Sequence, residues 1–294
     1  MTLRRRLVTV PASSANLGSG FDVLAAAISI GLELEVAEAG SFSVDVGGDP
    51  LPTDRSNLCV RAFERLHPAD GLRFEIRSGI PIARGLGSSA AAIVAGLLAA
   101  DHLYELAIEP LEIYRHAVEL EGHPDNVAAA LWGGIALCPR PEEGALPAPV
   151  RLEPPEGVEP ILVIPANEVA TADARAALPS EVSLDDAVTN VAAASQLVLG
   201  IERSDLGLIA RGLADRRRQQ HRAGLYQSSI ELIADARELG AIGASISGAG
   251  PAVMVWCFWQ DTGHVADALA PRVEGWAEIR RAPFSPTGAD VPEL

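Results

Sequence analysis

The chain has 294 residues and carries 23 Lys and Arg against 39 Asp and Glu. The net charge of −16 denies it the basic footprint that general nucleic-acid or anionic-membrane binding needs. Hydrophobic residues make up 48% and charged residues 21%, the balance of a globular chain with a real core, and the length predicts one large or two modest domains.

Cys59, Cys138 and Cys257 stand far apart with no C-x-x-C. That argues against a disulfide framework or cysteine zinc site and for buried thiols in a reducing compartment. The basic start has no apolar run behind it, so no secretory leader is expected. The longest apolar run, 90–100, is short of the ~18 residues that span a bilayer. A soluble cytoplasmic protein is expected.

In chain order, residues 6–11 read as a strand and 13–21 as a loop of small residues. The stretch 23–27 is short and apolar, and GLELEVA at 31–37 alternates as a half-buried strand does. FSVDV at 42–46 repeats that alternation, and LRFEIRSGIP at 72–81 alternates up to a glycine. The loop PIARGLGSSAAA, 81–92, feeds a helix predicted over 88–105. An amphipathic helix follows over 110–121, GHPDN opens a third through Trp132, and GGIALCPR is a strand. Seven prolines between 139 and 160 break regular structure and mark a domain boundary or an exposed excursion. PILVIP is then an apolar strand, and helices are predicted over 171–178, 184–200, 205–215 and 228–239. AIGASISGAGPAVMVWCF gives two apolar strands around a Gly-Ala-Gly-Pro turn, and a helix over 262–273 and the strand AEIRRAPF complete the pattern. Strands and helices mixed without a βαβ rhythm predict an α+β fold.

Several stretches carry chemistry. Gly85 and Gly87 remove side chains where the backbone must come close to something, and Ser88 and Ser89 stand at a helix start, where free N–H groups and the helix dipole suit a phosphate. The loop has neither the Walker A pattern nor G-x-G-x-x-G, and a capped helix with a tight entry turn explains it equally well. In EGHPDN, Glu121 suits Mg²⁺ as a hard oxygen ligand. Asp125 suits a substrate amine or hydroxyl, or simply caps a helix, and His123 reads as a turn residue. PASSANLGSGFD offers Asn16 and Asp22 in a loop of small residues. SGAGP is a hairpin turn whose glycines let a ligand approach. TADAR puts Thr171 and Arg175 on one helix face. Arg222 is a surface charge, or the second of two guanidiniums on one carboxylate.

Taken together and in this order, "PxxxGLGSSAA" followed by "SGAGP" resembles the GHMP kinases. "VPASSANLGSGFD", "EGHPDNVAAALWGG" and "TADARAALP" resemble more narrowly the branch that phosphorylates homoserine, and the likeness runs from Val10 to Pro251. Two departures are visible. Ser19 stands where the family has proline, which is expected to loosen the loop without deleting a functional group. Gln220 and His221 stand where the family often has proline and tyrosine before the arginine.

The resemblance implies the two-layer GHMP fold, with a ribosomal-S5-like α+β domain over 1–155, a ferredoxin-like domain over 156–294, and ATP between them. It implies transfer of the γ-phosphoryl of ATP to the side-chain hydroxyl of L-homoserine, on the route to threonine, by a homodimer. It further implies a nucleotide site of Asn57, Pro81, Arg84, Gly85, Leu86, Gly87, Ser88, Ser89, Ala90, Gly248 and Gly250, with Mg²⁺ on Ser89 and Glu121. Arg175 and Arg222 would take the substrate carboxylate, Asp22 and Asp125 its ammonium or hydroxyl, and Asn16 and Thr171 would orient the hydroxyl. Asn126 stands where some relatives have an aspartate base, so catalysis would rest on Asn16, Asp125, Asn126 and Arg175 without a strong base. The alternatives are another small-molecule GHMP kinase and a GHMP-fold binding protein that has lost catalysis.

Overall fold

The computed structural model describes residues 4–140, 146–213 and 223–292. Its strands fall into two sheets. The first contains β1 (Arg5–Ala15), β2 (Leu24–Glu38), β3 (Ser43–Asp45), β4 (Leu72–Ser78), β5 (Ile135–Leu137) and β6 (Val150–Leu152). β2 is its spine. One edge of β2 pairs with β1 from Ala37 to Ala25. The other edge is divided between β4, along 32–38, and β5, along 24–26. The apolar stretch and the alternating stretch read separately from the sequence are therefore one strand of 15 residues. Its first residues are buried on both faces, whereas 31–37 has a solvent face and alternates. Ser29 and Ile30, which fall between those two stretches, have no partner in β1, because the pairing register shifts there from Gly31 opposite Pro11 to Ile28 opposite Ala12.

Helices α1 (Leu58–Glu64), α2 (Ser88–Tyr104), α3 (Pro110–Glu121) and α4 (Asp125–Trp132) follow from this half of the chain. α2 and α4 lie on the sheet, and α1 and α3 pack on α2. α2 is buried nearly all round, as a helix without a polar face must be. α1 had no counterpart in the sequence reading. It approaches α2 so closely that a Cβ on Gly96 would lie 2.1 Å from the Cys59 carbonyl oxygen.

The second sheet holds β7 (Val158–Pro165), β8 (Gly243–Ile246), β9 (Val253–Phe258) and β10 (Ala277–Arg281), in the antiparallel order β10-β7-β9-β8. That is the ferredoxin-like order. Between β7 and β8 come α5 (Thr171–Ala176), α6 (Leu184–Arg203), α7 (Leu206–Gly212) and α8 (Gln227–Asp235); α9 (Thr262–Val273) joins β9 to β10. Alternation along the strands divides the sheet between two cores. Leu162, Met254 and Trp256 join the core of the first sheet together with Leu197 and Ile209 of α6 and α7. Ile161, Val163, Val253 and Val255 face a second core with Leu232 of α8 and Leu269 of α9. The proline-rich passage carries the short edge strand β6 before the chain crosses to β7. After β10 the tail returns, and Asp290 exchanges two backbone hydrogen bonds with Thr9 on the free edge of β1.

Among the described residues no helix is long and apolar enough to cross a membrane. The three cysteines are buried, and burial pushes each thiol up to about 12. At pH 8 a thiol reagent should therefore label none of them in the native protein and all three after denaturation; fast native labelling would contradict the packing. Gly96→Ala should lower stability by ~1–3 kcal/mol through overpacking of α1 on α2, read from the urea midpoint. An unchanged midpoint would contradict the close approach.

Candidate active site

The glycine-serine loop delivers the N-terminus of α2 to a cleft between the two sheets. Gly87, in the left-handed region at φ 69°, is the N-cap of α2 and makes no side-chain cap. The first-turn N–H groups, with Ser88 and Ser89, open on the cleft, where they favour an anion. The close approach expected at the loop glycines is made by the protein itself. A Cβ on Gly85 would lie 2.1 Å from the Ser247 carbonyl oxygen, and one on Gly87 would lie 2.0 Å from Ser13 Oγ.

The SGAGP hairpin fastens that loop from the other sheet. Ser247 Oγ donates to the Gly85 carbonyl at 2.7 Å. The N–H of Gly248 reaches the Ala15 carbonyl at 3.0 Å and that of Ala252 the Arg84 carbonyl at 3.2 Å. Arg84 donates to the carbonyls of Pro165 at 2.7 Å and Ala166 at 2.5 Å, at the C-terminal end of β7. The cleft wall is formed by Gly85, Leu86, Gly87, Ser88, Ser89 and Gly248. Pro81, Arg84, Ala90 and Gly250 are not in it. Asn57 is not brought there either. It is buried, accepts from the N–H of Cys59 at 2.9 Å as the cap of α1, and donates to the Pro52 carbonyl at 2.8 Å.

Opposite the loop, Gly122 ends α3 in a left-handed turn and brings Glu121, His123 and Asp125 into the wall. Ser89 Oγ donates to Glu121 Oε1 at 2.6 Å. His123 bridges the two carboxylates, with Nε2 3.6 Å from Glu121 and Nδ1 3.2 Å from Asp125. Burial raises the Glu121 carboxyl, and the Ser89 hydrogen bond and the imidazole offset this only in part. Burial pulls His123 down, but the neighbouring carboxylates of Asp125 and Glu121 outweigh it and its pKa is raised. By sequence pattern alone His123 reads as a turn residue. Its spacing of two residues from each carboxylate was the available signal, and only the sharp turn at Gly122 gives that spacing meaning. Asp125 is not the N-cap, which is Pro124. It is 2% exposed and accepts from the N–H of Asn126 at 2.7 Å.

The remaining wall carries opposite charges. Arg175 donates to both carboxylate oxygens of Asp22, at 3.0 and 2.8 Å, and its guanidinium lies 5.6 Å from the Phe21 ring centroid. The Asp22 carboxylate raises the Arg175 pKa. Asp22 adopts φ 56°, and its N–H is held by Asn16 Oδ1 at 3.0 Å, while Asn16 Nδ2 donates to the Gly248 carbonyl at 2.8 Å. Thr171 and Arg175, one turn apart on α5, both line the cleft. Arg222 lies outside the described residues. Ser19 makes a contact that a proline would lack. Its buried hydroxyl donates to the Gly212 carbonyl at 2.9 Å and ties the loop to α7.

A hydroxyl and a carboxylate in contact are hard oxygen donors of the kind Mg²⁺ takes alongside phosphate oxygens. Among the described residues no group of three or more His, Cys, Asp and Glu side chains is placed to hold a metal alone. The donor set of Ser89 and Glu121 therefore fits an ion that arrives with a nucleotide.

The chain resembles known proteins over most of its length. Residues 57–134 match the model of the GHMP kinases N terminal domain, and 197–274 that of the GHMP kinases C terminal domain. A homoserine kinase of Moorella thermoacetica is 37% identical over 259 residues, 85% of this chain and 87% of that one. The chain belongs to the GHMP kinase family. A homoserine kinase of Microchaete diplosiphon is also 37% identical, over 89% of this chain and 88% of its own. The crystal structure of a homoserine kinase from Cytophaga hutchinsonii superposes with a TM-score of 0.87 at 29% identity, covering 98% of each chain.

Gly85→Ala should both strain a left-handed residue and drive a methyl into the Ser247 carbonyl. Stability should fall by ~1–3 kcal/mol and ATP affinity by at least about tenfold, measured by thermal melting and calorimetric titration. Wild-type ATP affinity in this variant would contradict the joint described here.

Proposed function

We propose that this GHMP kinase transfers the γ-phosphoryl group of ATP to the side-chain hydroxyl of L-homoserine, giving O-phospho-L-homoserine in threonine biosynthesis. The observation that carries this reading is the pairing of two sites in one cleft: a helix N-terminus beside Ser89 and Glu121, and an Asp22–Arg175 ion pair facing it. The first suits a nucleotide phosphate. The second suits a zwitterion, and the named relatives are homoserine kinases.

The substrate carboxylate binds Arg175 with the bidentate geometry a guanidinium offers, aided by Arg222, and the ammonium binds Asp22. One internal ion pair is thus exchanged for two with the substrate. Asn16, Thr171 and Asp125 orient the hydroxyl. The nucleotide phosphates lie along 85–89 with Gly248, and Pro81, Arg84, Ala90, Gly250 and Asn57 have no direct part in holding them. Ser89 and Glu121 would hold Mg²⁺, which would supply neutralisation of charge on the phosphoryl oxygens. As the new bond forms between the hydroxyl oxygen and the γ phosphorus, the bond to the β-phosphate oxygen breaks and ADP leaves with its electron pair. Asn126 accepts no proton, so the hydroxyl proton leaves late, to a phosphoryl oxygen, as a loose transition state permits. The division at 155 and 156, the homodimer and the cytoplasmic location rest on the family resemblance and on the three buried reduced thiols.

The direct test is ADP release with Mg-ATP and L-homoserine, L-serine, L-threonine, mevalonate or galactose. Release should strongly favour L-homoserine. Turnover only with another acceptor would discard the roles of Arg175 and Arg222, and binding without turnover would favour a noncatalytic protein. Asp125→Asn should cost less than ~10²-fold in the chemical step. A loss of ~10²–10⁴-fold confined to that step would mean Asp125 is a general base. Glu121→Gln should raise the Mg²⁺ concentration needed for half-maximal rate; an unchanged requirement would remove Glu121 from the ion.

A further inference from the structure

Three of the sequence motifs meet at one buried hydrogen bond that no part of the mechanism above uses. Ser13, in the first motif, is wholly buried. Its hydroxyl donates to Asn126 Oδ1 at 2.8 Å, across 113 residues of sequence. Its backbone N–H is held by the Leu86 carbonyl at 3.2 Å, so the hydroxyl is carried at a fixed place beside the phosphate loop. Gly87 leaves just enough room for it. A Cβ there would lie 2.0 Å from Ser13 Oγ and 3.2 Å from Asn126 Oδ1.

This bond decides what Asn126 offers to the cleft. An amide has one acceptor oxygen and a nitrogen with two donors. With the oxygen engaged by Ser13, the nitrogen is the end left for the cleft, which Asn126 lines. Among the described residues nothing accepts a hydrogen bond from Asn126 Nδ2. We infer that Ser13 is a positioning residue: it holds the Asn126 amide so that Nδ2 donates to an oxygen of the transferring phosphoryl group. The inference rests on the phosphoryl transfer proposed above. Developing charge on those oxygens is what a preorganised donor stabilises. Without Ser13 the amide turns freely, and half its orientations present a lone pair where negative charge accumulates.

The test is a double-mutant cycle of Ser13→Ala and Asn126→Ala, read as kcat and KM for ATP and L-homoserine. Ser13→Ala should lower kcat about tenfold, the scale of one hydrogen bond made in the transition state. Both KM values should stay within about twofold, since ground-state binding is not its work. In the Asn126→Ala background the same change should cost less than about twofold, because the partner it positions is gone. An equal loss in that background, a loss confined to KM, or no loss at all would overturn the inference. Thermal melting accompanies each variant. If Ser13→Ala does not fold, Ser13→Cys keeps the volume with a weak donor and takes its place in the cycle, where a wild-type kcat would overturn the inference equally. The wild-type acceptor panel reports separately on the proposed function: if another acceptor proves to be the substrate, the cycle is run with that acceptor and the prediction stands unchanged.

Discussion

The contact between the loop at Gly85 and the hairpin at Ser247 governs the rest of the cleft. Two backbones from different sheets approach so closely that no Cβ fits between them, and the Ser247 hydroxyl closes the gap on the Gly85 carbonyl. Because Gly248 also engages Ala15 and Asn16, the same few residues fix three loops at once. The N-terminus of α2 is thereby aimed at the space that Arg175 and Asp22 border. Close backbone approach is a constraint that side-chain repacking cannot relieve, so the geometry is set by the chain rather than by the ligand.

Charge is the second constraint. A protein with a net charge of −16 that binds an anionic nucleotide must work against its own field. The local answers are visible. Backbone N–H groups at a helix start carry partial positive charge without a titrating group. Arg175 is kept in place by Asp22, an arrangement that holds a cation ready and offers an ammonium its own partner. Glu121 and Asp125 are both buried within reach of His123, which limits the repulsion between two carboxylates in a site that must also accept phosphates.

Much of this was legible in the sequence, for physical reasons. α2 announces itself because a glycine-serine turn precedes a long apolar run, and β7, β8 and β9 of the second sheet because they are short, buried and bounded by glycine and proline. β2 reads as two pieces because the irregularity at Ser29 and Ile30 interrupts the residue pattern, and the pairing that carries the strand across it is not visible in sequence. α1 escaped because seven residues give too few repeats for a helical period, and β6 because three paired residues leave no pattern inside a run of prolines. At the site, the motifs brought together Asn16, Asp22, Ser89, Glu121, Asp125, Asn126, Thr171 and Arg175 in one cleft. They did not reveal that Asn57 caps a helix, that Ser19 fastens a loop to α7, or that His123 bridges two carboxylates. Each of these depends on partners far away in sequence or on a turn angle, and local residue patterns carry neither.

The most direct measurement is a crystal structure with L-homoserine and a nonhydrolysable ATP analogue bound together. The phosphates should lie against the backbone of 85–89, with the amino-acid carboxylate on Arg175, its ammonium on Asp22, and the Asp22–Arg175 pair opened to admit them. An intact Asp22–Arg175 pair with the amino acid bound elsewhere in the cleft would contradict this arrangement.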